Sequence, residues 1–83
     1  MDIPSDRPVS IRLPSDSTVT LINNDAATDV YISRKRGELL AKFPPDEGQK
    51  IAKGGVVLQW PTFDGELWIR ANGALVTQFV VLY

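Results

Sequence analysis

Apolar residues recur along this chain with a period of two rather than 3.6, and that spacing leaves few folds open. In Glu66-Leu-Trp-Ile-Arg-Ala71, Leu67, Ile69 and Ala71 share one side and Glu66, Trp68 and Arg70 the other. That is the pattern of a strand with one face in a core. Asp29-Val-Tyr-Ile-Ser33 repeats it, with Val30 and Ile32 set against Asp29, Tyr31 and Ser33. Thr18-Val-Thr-Leu-Ile-Asn23 is rich in β-branched residues, Gln49–Lys53 is a short polar strand around Ile51, and Val56–Trp60 is stopped by Pro61. The breaks are turn chemistry: Asn23-Asn24-Asp25, Arg34-Lys-Arg-Gly37, Pro44-Pro45-Asp-Glu-Gly48, Gly54-Gly55 and Asp64-Gly65. Asn72-Gly73 predicts a type I′ hairpin between Glu66–Ala71 and a last strand over Leu75–Tyr83. Glu38–Phe43 is too short to stand as a helix and is read as a strand. Short strands with turns at this spacing predict an all-β fold, an antiparallel β-sandwich or jelly roll of seven to eight strands.

Pro4, Pro8 and Pro14 punctuate the start. Proline fixes φ and removes a backbone donor, so this stretch forms neither a long helix nor a central strand. Residues 1–14 are read as an extended N-terminal arm and residues 15–83 as a single sandwich domain. Within the arm Val9, Ile11 and Leu13 alternate with Ser10 and Arg12, as an edge strand or an arm laid on a neighbour would. Read as an arm, Met1–Leu13 is dispensable for the fold.

An 83-residue chain has no second domain, and it contains neither Cys nor His. Disulfides are excluded and the usual zinc ligand sets are missing. A domain this small buries a modest share of its surface, so contacts with other subunits are the remaining source of reinforcement. The same two absences remove the commonest acid–base and nucleophilic groups. The carboxylates sit at turns or on outward strand positions, and a carboxylate-pair glycosidase needs a deeper cleft than this length provides. No enzymatic activity, cofactor or metal is expected. No apolar run approaches the roughly 20 residues of a membrane span. Met1-Asp2-Ile3-Pro4 has neither the basic nor the apolar region of a secretory signal.

The net charge is −1, but residues 34–53 carry six bases and three acids while residues 1–33 carry two bases and five acids. Such a dipolar surface suits a complementary protein partner. Arg34, Lys35 and Arg36 could meet acidic groups, and they lack the aromatic ladder that stacks bases, so nucleic acid is not the expected partner. Trp68 stands on the polar side of its strand beside Arg70, where an exposed tryptophan anchors an interface or a sugar. Leu75–Tyr83 is apolar on both sides, which predicts cover on both sides, the outer one from a partner subunit.

The succession Thr18-Val-Thr-Leu-Ile-Asn-Asn, Asp29-Val-Tyr-Ile-Ser, Phe43-Pro-Pro-Asp-Glu-Gly-Gln-Lys-Ile, Gly65-Glu-Leu-Trp-Ile-Arg-Ala and a final apolar strand resembles small jelly-roll proteins of tailed-phage particles, the capsid decoration or cement type. The resemblance covers Thr18 to Tyr83. It implies a non-catalytic virion protein on the capsid surface, made in the host cytoplasm without a signal peptide. Its implied partners are capsid subunits and its own copies, a trimer before a dimer. The arm residues Ile3, Arg7, Val9, Ile11, Arg12 and Leu13, with Tyr31, Arg34, Lys35, Arg36, Trp68 and Arg70, are the candidate partner contacts. The alternative is a carbohydrate- or receptor-binding module of a phage tail or fibre, with Trp68 or Trp60 as the stacking platform.

Overall fold

The alternation in Glu66–Ala71 is realised as a central strand: Leu67, Ile69 and Ala71 are wholly buried, and the polar trio between them is half-buried. The computed structural model describes residues 1–40, 43–45 and 48–83. Among these residues there are seven strands, β1 (Val9–Arg12), β2 (Thr18–Asn23), β3 (Val30–Ser33), β4 (Gln49–Ile51), β5 (Val56–Pro61), β6 (Glu66–Ala71) and β7 (Phe79–Leu82). All pairings are antiparallel, in a four-stranded sheet of order β1-β6-β3-β4 and a three-stranded sheet of order β5-β2-β7. The fold is the expected all-β sandwich. Its inner faces meet in one core that includes Val19, Leu21, Ile32, Ile69 and Phe79.

The segment read as an arm is part of this body. β1 pairs with β6 over Val9–Arg12, and Ile3 exchanges both backbone hydrogen bonds with Val76, at 2.7 and 3.0 Å. Pro4 and Ser5 offer their carbonyls to the Ala71 N–H and the Arg70 Nε. Ile3 and Leu13 belong to the core, and Val9 and Ile11 pack against it. The prolines stand between the paired residues, so they confine this segment to an edge without preventing it from pairing.

Three local expectations are revised. Residues 38–40 are not a strand: Arg36–Leu39 is a 3₁₀ turn that folds over the four-stranded sheet and buries Leu39 completely. Ala41 and Lys42, the middle of the expected strand, lie outside the described residues. Asn72-Gly73 does not make a hairpin, because β6 and β7 belong to different sheets. Gly73 takes the expected positive φ of 90°, but residues 74–78 then carry the chain across the sandwich, held by the Ile3–Val76 bridge. Finally, the last strand is Phe79–Leu82 at a sheet edge. Val80 and Leu82 on its outer side are exposed, as are Leu75 and Tyr83.

Candidate binding site

Two places stand out on this scaffold, one at the end of the sandwich where β3 and β5 finish and one on the outer face of the three-stranded sheet. At the first, Arg34 follows the last residue of β3, and its guanidinium carbon lies 3.8 Å from the ring centre of Trp60 and 4.4 Å from that of Phe63. Trp60 is an inward residue of β5 and nearly buried, whereas Phe63, on the turn between β5 and β6, is 59% exposed. The Arg34 Nη2 donates to the Pro61 carbonyl at 2.5 Å. Its Nη1 is closed off from water and has no hydrogen-bond partner among the described residues. Desolvation lowers the pKa of Arg34, partly countered by the charge of Asp64. A guanidinium keeps its proton through such a shift, so the site holds a fixed positive charge with one uncompensated donor. Leaving such a group unpaired costs about 1–3 kcal/mol.

The backbone around it is strained. Asp16, Gln59 and Phe63 have φ of 51°, 52° and 49°, a left-handed conformation that costs a non-glycine residue on the order of 1 kcal/mol or more. Gln59 adjoins the register shift between β2 and β5, and the Asp16 N–H donates to the Phe63 carbonyl at 2.7 Å. Thr62 locks the same turn, its hydroxyl accepting from the Ser17 N–H at 2.9 Å and donating to the Ser17 carbonyl at 3.1 Å. Beside Arg34 opens a cleft of about 360 Å3 walled by Ser33, Lys35, Glu38, Gly48, Gln49 and Trp60. Glu38 accepts a hydrogen bond from the Ser33 Oγ.

The second place is the outer face of β5-β2-β7. Register puts Val56, Ile22 and Val80 in one row across the three strands, and Leu82 beside Thr20 in the next. Leu58 lies on the same side of β5 as Val56. Val56, Leu58, Val80 and Leu82 are 52, 72, 39 and 51% exposed, and no charged side chain is among these six residues.

The residues singled out from sequence fall in several places rather than one: Ile3, Arg7, Val9 and Ile11 share one cleft and Arg34 and Lys35 another. Ile3 and Leu13 are interior. Arg7 pairs with Asp6 at the surface, and Arg12 stands exposed on β1. Val9 and Ile11 line a separate cleft of about 560 Å3 with Met1, Pro4 and Leu75. Trp68 is half-buried, its indole N–H donating to Glu66 at 2.7 Å and Arg36 lying 5.8 Å from its ring. Arg70 is committed to the Ser5 and Leu39 carbonyls and to the Phe43 ring, whose edge also meets Tyr31. Trp68 and Arg70 therefore serve the cover of the four-stranded sheet. Of the basic run, Lys35 and Arg36 are exposed, and Arg34 is held closest to aromatic rings, those of Trp60 and Phe63. Phe63 carried no sequence signal beyond its place before an Asp-Gly turn, and the outer-face aliphatics were visible only as a strand apolar on both sides.

Among the described residues no cluster of three or more carboxylates, histidines or cysteines is placed to hold a metal, and no helix is long and apolar enough to cross a membrane. No family model matches the chain, and no curated protein or solved structure matches it either. The two places differ in chemistry, one a cation beside a cleft and the other an uncharged aliphatic face.

Proposed function

We propose that this protein is a non-catalytic structural module that associates with copies of itself and acts within a larger protein assembly. The observation that carries the reading is the outer face of β5-β2-β7. Four aliphatic side chains project from it without a charge among them, and contiguous apolar surface of this kind marks an association site. The occupant is a second copy. A face with no charged group meets its own image without like-charge contact, and a two-fold axis is the commonest way for one patch to meet its copy. A phage-particle setting, with capsid subunits as further partners, is what the sequence resemblance contributes to this proposal. The sugar-binding alternative has less behind it, because Trp60 is covered by Arg34 and the indole N–H of Trp68 is already engaged.

Light scattering over a concentration series tests the reading. The expected result is a dimer or larger species at tens of micromolar, and a monomer when Leu58 and Val80 are replaced in Leu58→Glu/Val80→Glu. Both side chains point away from the core, so the variant keeps its β-rich circular dichroism. A wild-type monomer throughout the series would overturn the proposal.

A further inference from the structure

We propose that Asn72 is a site of spontaneous covalent modification: the Gly73 backbone nitrogen attacks the Asn72 side-chain amide, and the residue is converted to aspartate and isoaspartate. This is independent of self-association and uses a different part of the surface.

The reaction makes three demands. The following residue must not screen its own nitrogen with a side chain, the amide must be reachable, and the backbone must be able to turn that nitrogen onto the amide carbon. Glycine meets the first, since it has no Cβ and visits the widest range of backbone angles. A new C–N bond then closes a cyclic imide. The Gly73 amide proton is lost, and the Asn72 side-chain nitrogen leaves as ammonia. Water opens the ring by adding to one of its two carbonyls. Opening at the side-chain carbonyl gives aspartate, and opening at the main-chain carbonyl gives isoaspartate, with an extra methylene in the main chain. No oxidant, reductant or enzyme enters the balance.

The chain has three asparagines and one Asp-Gly pair, Asp64-Gly65, open to the same ring closure. At the other candidates the structure holds the attacking nitrogen. Asn23 is wholly buried, and the Asn24 N–H that follows it donates to the Gln78 carbonyl at 3.1 Å. The Asp25 N–H that follows Asn24 donates to the Asn23 side chain at 3.2 Å. The Gly65 N–H donates to the Thr62 carbonyl at 2.7 Å.

Asn72 differs. It and Gly73 are exposed, and both lie past the end of β6. A Cβ built on Gly73 would meet no heavy atom within 4 Å, so the turn has room. The flanking backbone hydrogen bonds among the described residues run from the Asn72 N–H to Asp29 and from the Val76 N–H to Ile3, at 2.9 and 3.0 Å. They fix the ends of the segment and leave Gly73 between them. Conversion adds a negative charge at one anchor, and isoaspartate lengthens a span that ends at the wholly buried Val76.

The folded protein and the same chain unfolded in guanidinium chloride are incubated side by side at mildly alkaline pH and sampled by tryptic mapping. Cleavage after Arg12, Arg34, Lys53 and Arg70 places Asn23 and Asn24 in fragment 13–34, Asp64 in 54–70 and Asn72 in 71–83. Mass spectrometry reads the exchange of NH2 for OH, and chromatography separates the aspartate and isoaspartate forms. In the folded chain, fragment 71–83 should split into two acid forms at a rate within about threefold of that in the unfolded chain. Products at Asn23, Asn24 and Asp64 should form at least about tenfold more slowly folded than unfolded, because their nitrogens must first leave hydrogen bonds by local opening. Gly73→Ala places a methyl beside the nitrogen and should slow conversion of 71–83 about tenfold. If that variant does not fold, Asn72→Gln, which leaves the backbone alone, should silence the fragment. Folding that slows conversion at Asn72 by more than about threefold overturns the proposal, because the segment is then held. So does faster conversion at Asn23, Asn24 or Asp64 than at Asn72 in the folded chain, or an unchanged rate in the folded variant.

Discussion

Asn23 is wholly buried at the end of β2, and its side chain ties three segments together. Its amide donates to the carbonyls of Thr28 and Ile51 at 2.9 and 3.0 Å, and its carbonyl accepts from the Asp25 N–H at 3.2 Å. The chain leaves one sheet here and enters the other, where backbone groups would otherwise be buried without partners. Asn23→Ala removes all three bonds and strands two interior carbonyls. It should destabilise the fold by about 2–3 kcal/mol in urea denaturation. A loss below about 0.5 kcal/mol would mean that water takes the place of the amide. Gly65 is constrained more sharply still. Its φ is 84°, and a Cβ built on it would sit 2.3 Å from the Leu13 carbonyl oxygen, which is backbone. That carbonyl belongs to the residue whose N–H donates to Gly65 at 2.8 Å, so relief requires the β1–β6 pairing to shift. Gly65→Ala should cost about 3 kcal/mol or more, whereas Gly73→Ala, with open space around it, carries only the cost of its own positive φ.

At the scale of elements, the decisive segment is the first. Residues 1–13 supply the outer strand of the four-stranded sheet, the bridge to Val76 and two core side chains, Ile3 and Leu13. Burying those two alone contributes roughly 1.5–3 kcal/mol each, against a total stability of about 5–15 kcal/mol for a typical small domain. Deleting Met1–Leu13 should therefore abolish cooperative thermal unfolding, or lower the melting temperature by about 10 °C or more. A truncated chain that melts with the intact one would contradict the packing of this segment. The sequence expectation was the reverse, and the reason is physical. Alternation in Val9–Leu13 states that one side of a strand meets an apolar surface, but it does not state whose surface. The 3₁₀ turn shows the same limit. Leu39 stands in a segment too short to show a period, and only the outer side of β3 and β6 gives it a place to be buried.

For the whole molecule, the two sheets differ in how they treat solvent. The outer side of the four-stranded sheet is polar and partly roofed by Leu39, Phe43 and their partners. That of the three-stranded sheet is bare and aliphatic. A dimer formed through the bare face binds only the folded chain, so mass action should raise the melting temperature with protein concentration. Calorimetry at about 5 and 500 μM should show the midpoint rising for the wild type, and no rise for Leu58→Glu/Val80→Glu. A wild-type midpoint independent of concentration would place self-association outside this range. Neither this face nor the Arg34 cleft depends on an integral arm, so both remain accessible in the sandwich as folded.

Strand class, most strand positions and the places where the chain turns are legible in the amino-acid order. Those follow from local chemistry: period-two alternation, β-branched residues, and Gly, Asn and Pro where backbone geometry requires them. Legible there too is the absence of Cys and His, and with it the expectation of binding rather than catalysis. Which strands are neighbours is not legible there, because pairing depends on surfaces distant in the chain. Asn72-Gly73 has hairpin chemistry, yet the strands that flank it lie in opposite sheets. The binding candidates were divided in the same way. Arg34 read as one of three surface cations until β5 and its turn brought Trp60 and Phe63 against it. Trp68 read as a platform until Glu66 and Arg36 were found beside it. Side-chain type is written in the sequence, but the environment that sets Arg34 against two aromatic rings and makes Arg70 a buttress is assembled from residues about thirty positions away.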